Sequence, residues 1–148
     1  MTDLADVARL AGAAHHLAVF AIARPDGTVH ASVVSAGVLA DPVDGTPGVA
    51  AVLGGGSRKL VLLRSSGRAT VVFQSGGDWV AVAGPVRLVG PDDGAPPWLD
   101  VPATIRSVFT AAGGTHEDWA EFDRVMAEDR RCAVFVRAEA ITCNPGAG

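Results

Sequence analysis

The chain has 148 residues, 49% of them apolar, with a formal net charge of −4. That length fits one domain with enough surface to bury a sizeable core. The acidic balance gives no general pull towards DNA, RNA or anionic lipid, and 5% aromatic residues with no tyrosine leave little of a stacking platform for nucleic acid.

Residues 2–14 place Leu4, Val7, Leu10 and Ala11 at helical spacing, with Thr2 as the cap. Residues 17–23 read as a strand and 28–39 as its long return. Between them, Arg24-Pro25-Asp26-Gly27 is a turn, because proline fixes φ and glycine accepts positive φ. Residues 41–48 are a loop and 49–53 a short buried strand. Residues 60–64 follow as a helical turn or two, stopped by Ser65-Ser66-Gly67. Two more strands are predicted at 68–74 and 79–89, joined by a turn at 75–78. Gly84-Pro85 marks a bulge or an edge, since proline cannot donate to a ladder.

After a loop at 90–102, Ile105, Val108 and Phe109 form one helical stripe, closed by Gly113-Gly114. Thr115-His116-Glu117-Asp118 has the form of a capping box for a further helix, in which Trp119, Phe122 and Met126 share a face. Residues 132–137 are a last apolar strand, and Pro145 to Gly148 are expected to fray. Consecutive strands joined by short turns pair antiparallel. Roughly six of them in one domain predict a small barrel with helices at its ends, an all-β core with α additions.

The segment Gly54-Gly55-Gly56-Ser57-Arg58-Lys59 carries the strongest hint of chemistry. Its glycines let backbone approach a ligand, and Ser57 is a good helix cap. Arg58 and Lys59 then have the wrong sign for the positive end of a helix dipole, a mismatch that a bound anion reverses. We read a phosphate or carboxylate site; the alternative is a solvated glycine loop with two surface cations. It is not an ATP-type P-loop, because Lys59 precedes Leu60 rather than Ser or Thr. Nor does G-x-G-x-x-G occur in a strand-turn-helix setting.

Other constellations carry less. Adjacent His15 and His16 cannot both face one metal on a regular element, so they suit a junction between helix and strand. His30 shares a strand face with Ser32 and Val34; a partly buried, hydrogen-bonded histidine is favoured over a groove-lining one. His116 is expected in the first turn of a helix as a capping group. The acidic run Glu117, Asp118, Glu121, Asp123, Glu128 and Asp129 suits a helix start, and Arg130-Arg131 its end. No G-x-S-x-G supports a serine nucleophile. Cys132 and Cys143 fit reduced cytosolic thiols rather than a zinc site, and no metal is expected. Residues 1–12 lack the apolar core of an export signal and no apolar run reaches a membrane span, so a cytoplasmic protein is expected.

Taken in order, Ser32-Val33-Val34-Ser35-Ala36-Gly37-Val38, Arg58-Lys59 with Leu63-Arg64 and Arg68, Trp79-Val80-Ala81-Val82-Ala83-Gly84, Ala112-Gly113-Gly114-Thr115-His116, and Asp123-Arg124-Val125-Met126-Ala127-Glu128 resemble one group. It is the flavin/deazaflavin oxidoreductase superfamily with the pyridoxamine 5′-phosphate oxidase-like split β-barrel, closest to its actinobacterial coenzyme F420 branch. The resemblance implies a mainly β, FMN-binding-type split barrel with flanking helices. It also implies a homodimer that holds cofactor in grooves between subunits, and hydride transfer from reduced F420 to a small unsaturated substrate, with FMN or a non-catalytic F420, flavin or tetrapyrrole carrier as alternatives. By the same resemblance Lys59 holds the cofactor phosphate, within the segment whose Gly56, Ser57 and Arg58 read above as an anion site, while strand residues 33–36, Val34 and Ser35 among them, offer backbone to the ring. Trp79 is a candidate ring contact or an interface anchor. No side chain is named as a catalytic acid, because the chemistry is the cofactor's own. Relatives often have Lys-x-x-Asn-Leu followed by Arg-Arg-Asp-Pro-Arg, where this chain has Leu62-Leu63 and then Arg64-Ser65-Ser66-Gly67-Arg68.

Overall fold

A computed structural model describes residues 3–144; Thr2 and residues 145–148, with the cap and the frayed end expected there, lie outside the described residues. The first helix, α1 (Leu4–Ala13), is capped by Asp3, whose carboxylate accepts from the backbone N–H of Ala5 and Asp6. Asp6 reaches back to the Asp3 N–H, completing a capping box, and Val7, Leu10 and Ala11 face the core.

The strands follow as β1 (Leu17–Ala23), β2 (Val29–Ser35), β3 (Gly37–Val38), β4 (Gly48–Leu53), β5 (Arg68–Ser75), β6 (Asp78–Val89), β7 (Cys132–Arg137) and β8 (Ala140–Cys143). Helix α2 (Arg58–Ser66) joins β4 to β5, and α3 (Val101–Ala111) and α4 (Trp119–Glu128) lie between β6 and β7. All pairings are antiparallel, in the order β2-β1-β5-β6-β7-β4-β3 with β8 against β6. The result is a mainly β, curled half-barrel with four flanking helices.

The count exceeds the expected six for two reasons. The long return strand breaks at Ala36, whose N–H donates to the His16 carbonyl at 2.8 Å instead of to a ladder. Gly37 and Val38 then pair with Ala50 and Val49. Beyond β7, Ala140–Cys143 adds a short strand along Val80–Ala83. Gly84-Pro85 is no break in β6, since both stay in register with Ala69 and Arg68. Instead, β6 changes partner there, from β8 to β7, which starts at Val86↔Val136. A Cβ on Gly84 would lie 1.9 Å from the Arg137 carbonyl oxygen, so glycine admits the crossing.

One core lies between the inner sheet face and α1 and α2, with Phe20, Ile22, Phe73, Val71, Leu60 and Leu63 fully buried. A second joins Val108, Ile105 and Phe122 to Val89 and Phe135. The capping box predicted at residues 115–118 is not made. Asp118 itself caps α4 by accepting from Glu121 N–H, and His116 precedes the helix, its Nδ1 accepting from Asp118 N–H. The carboxylate next to Trp119 already satisfies the helix start, which leaves Thr115 no donor to hold.

The other face of β1, β2, β5 and β6 is open. Register places Leu17, Val19 and Ala21 opposite Ser35, Val33 and Ala31, with Val72, Ala81 and Trp79 continuing the same face. Val33 is 63% exposed there and Trp79 37%. No helix among the described residues is long and apolar enough to cross a membrane.

Candidate functional site

A groove of about 530 Å³ runs between the end of β2 and the start of α2. Val34 and Ser35 come from β2; Val52, Leu53 and Gly54 from the end of β4; Ser57 and Lys59 from the start of α2. Phe109 and Ala112 at the end of α3, Met126 of α4 and Arg131 complete the lining.

The glycine run makes this possible. Gly55 N–H donates to the Asp129 carbonyl at 3.0 Å. A Cβ there would lie 2.5 Å from the carbonyl oxygens of Asp129 and Arg130, so only glycine lets the turn rest on the end of α4. Ser57 caps α2 as expected, its Oγ accepting from Lys59 N–H at 3.1 Å, while the Ser57 carbonyl accepts from Leu60 N–H. Two of the helix's donors are therefore already used. A bound anion has the Ser57 hydroxyl and the side-chain cations to meet it more than free backbone N–H groups.

The charge pattern sharpens this. Lys59 is the chain's one lysine, and it lines the groove. It makes no ion pair among the described residues, and the first turn of α2 carries no carboxylate. Arg64 does not add to the field: its guanidinium is bidentate to Asp93 at 2.9 and 3.0 Å, and that hydrogen bonding raises its pKa. Arg124 is likewise held by Glu121 and Glu128, and Arg130 by Asp92. Arg131 has only a loose contact with Asp129 at 3.3 Å, and it faces the groove.

Of the residues singled out in the sequence, Val34, Ser35, Ser57 and Lys59 meet in this groove. Gly56 and Arg58 are exposed beside it and do not line it. Trp79 lies outside, on the β5–β6 hairpin opposite Gln74, facing the open sheet surface. His30 does not line the groove either, and its Nδ1 is buried without the hydrogen bond expected of it. Sequence reading missed Phe109 and Met126, whose spacing signalled only a core stripe. No group of three or more His, Cys, Asp or Glu among the described residues is placed to hold a metal ion.

No family model matches the chain, and no curated protein matches it in sequence. Solved structures do match in fold. A conserved hypothetical protein of Mycobacterium tuberculosis aligns with a TM-score of 0.68 and 18% identity over 97% of this chain and 84% of that one. A pyridoxamine 5′-phosphate oxidase-related, FMN-binding protein of Nostoc punctiforme gives 0.62 and 11% over 94% and 82%. An F420 reductase gives 0.57 and 17% over 85% and 88%. The fold of this chain is that of the pyridoxamine 5′-phosphate oxidase-like split barrels.

Proposed function

We propose that this protein is an oxidoreductase that binds coenzyme F420 and passes hydride from its reduced form to an unsaturated organic substrate. The observation that carries the reading is one groove in which Ser57, Lys59 and Arg131 meet the free edge of β2 at Val34 and Ser35. Ser57, Lys59 and Arg131 suit a phosphate, and Arg131 offers a second cation to an acidic tail. An edge strand offers unpaired N–H and C=O groups to a flat heteroaromatic ring, and Phe109 and Ala112 cover it. When bound, the deazaflavin supplies the hydride chemistry, and the protein supplies orientation and a dry pocket.

Ser35 lines the groove and stands opposite Leu17 on the exposed sheet face, which is apolar across β1 and β2 and suits a second copy of the chain. We therefore place the cofactor between two subunits. FMN shares the ring and the phosphate, and FMN-binding proteins share the fold, so FMN is the runner-up. Fluorescence titration with both cofactors is the test. F420 is expected to bind at least about tenfold more tightly, a difference of about 1.4 kcal/mol. Purified protein holding FMN that F420 does not displace would reverse the assignment.

A further inference from the structure

A second hollow of about 410 Å³ continues the groove past Ser35, Phe109 and Ala112, which line both. Its other walls are Gly12, Gly113, Gly114, His15 and His16, with the His16 ring against Gly113. The lining holds no carboxylate, lysine or arginine, so the two imidazoles are its titratable groups.

Both histidines sit in the left-handed region, at φ 56° and 62°. They close α1: His16 N–H donates to the Ala11 carbonyl at 2.7 Å and His15 N–H to that of Gly12. Glycine ends a helix this way without a steric penalty, and an L side chain does not. Two imidazoles stand where glycine would serve the fold better. Such a concentration of backbone strain is a pointer to function.

His16 is also held in one orientation. Its Nδ1–H donates to the Ala36 carbonyl at 3.1 Å. A Cβ on Gly113 would lie 2.7 Å from its Cδ2, so the missing side chain there is what gives the ring its place. With Nδ1 committed as a donor, Nε2 carries a lone pair in the neutral ring and an N–H in the cation.

We infer that this hollow receives the acceptor end of the substrate, a conjugated carbonyl compound, and that Nε2–H of His16 holds and protonates its carbonyl oxygen. The inference rests on the proposed reductase function, whose reduced cofactor is the two-electron donor. A C–H bond forms at the β-carbon as the hydride-bearing C–H bond of the reduced cofactor breaks, the C=C π pair becomes the enol double bond, and the C=O π pair forms an O–H bond as Nε2–H breaks. The enol tautomerises in water, and the imidazole regains its proton from solvent at the open mouth of the hollow. Phe109 and Ala112 provide an apolar bed for the hydrocarbon part.

Cyclohex-2-en-1-one is a suitable probe. In protein loaded with oxidised cofactor, adding it should move the nitrogen-15 signals of the His16 imidazole and leave those of His30 and His116 in place. With reduced cofactor, kcat should fall as pH rises, because the step consumes the proton on Nε2. His16→Asn tolerates the left-handed backbone and keeps an N–H for Ala36, but has no Nε2. It should bind cofactor within about twofold of the parent, lose at least about tenfold in kcat and show a flat pH profile. Unmoved His16 signals, or a variant with the parent's kcat and pH profile, overturn the inference. Cofactor binding without enone reduction by the parent overturns the reductase reading instead. The signals then still decide the hollow: movement supports it as a carbonyl site, and stillness removes it.

Discussion

The guanidinium carbon of Arg131 lies 4.0 Å from the position a Cβ on Gly54 would take, so the cation that follows α4 and the first glycine after β4 share one wall of the groove. Arg131 thereby joins Lys59 from a distant part of the sequence, while Arg58, beside Lys59 in the chain, stays outside.

Lys59→Ala should weaken binding of a phosphate-bearing cofactor by about 1.5–3 kcal/mol, the size of a charge-assisted hydrogen bond. Arg131→Ala should cost somewhat less, and Arg58→Ala least. All three losses should shrink as salt rises. Fluorescence titration at two salt concentrations measures this, and an unchanged affinity in Lys59→Ala would mean that the phosphate lies elsewhere.

The exposed sheet face should make the protein an isologous dimer. Light scattering at micromolar concentration is expected to give twice the chain mass. Val33→Asp, at the centre of that face opposite Val19, should give a folded monomer. A parent protein with monomer mass would remove the inter-subunit groove altogether.

Two glycines separate packing from conformation. A Cβ on Gly37 would lie 1.8 Å from the Ala111 carbonyl oxygen, pressing on the end of α3 that carries Phe109 to the groove. Gly37→Ala should therefore cost about 1–3 kcal/mol. Gly12, inside α1, would bring a Cβ near nothing within 4 Å. Gly12→Ala should stabilise by about 0.5–1 kcal/mol through helix propensity. Paired thermal melts distinguish them, since the two shifts should have opposite signs.

Stability should be highest over a neutral plateau. Hydrogen bonds from arginine lower the pKa of Asp92 and Asp123 below their ordinary 3.8. A lowered folded pKa contributes stability that is present above the unfolded value and lost as pH falls through the folded one. At the other end, burial pushes the Cys132 thiol up from 9.0 to about 12, with Asp93 adding to the effect. That contribution is present below pH 9.0 and lost as pH rises towards 12. Melting temperature against pH should show both limbs, and Cys132→Ala should lose the alkaline one.

Local signals carried much of this into the sequence. Asp26-Gly27, Ser57 and Gly67 are turn and cap residues whose conformations follow from their own chemistry, and they stand where expected. Ala36 was illegible because nothing in a run of alternating residues marks the point at which one N–H turns to His16 instead of a ladder. The same holds at the site. Arg58 and Lys59 point to an anion through their mismatch with the helix dipole, which is local. Arg131 reads as an ordinary helix end until Gly55 lets the turn settle against α4. Arg64 reads as part of the positive cluster until Asp93, 29 residues away in sequence, takes it.

Ser35 belongs to two surfaces at once: it faces outward opposite Leu17 on the open sheet, and it lines the groove. In the proposed dimer, subunit pairing and cofactor capture should therefore be linked equilibria, each strengthening the other by the same free energy. Dilution should loosen the cofactor, and saturating cofactor should hold the pair together at concentrations where the empty chains part.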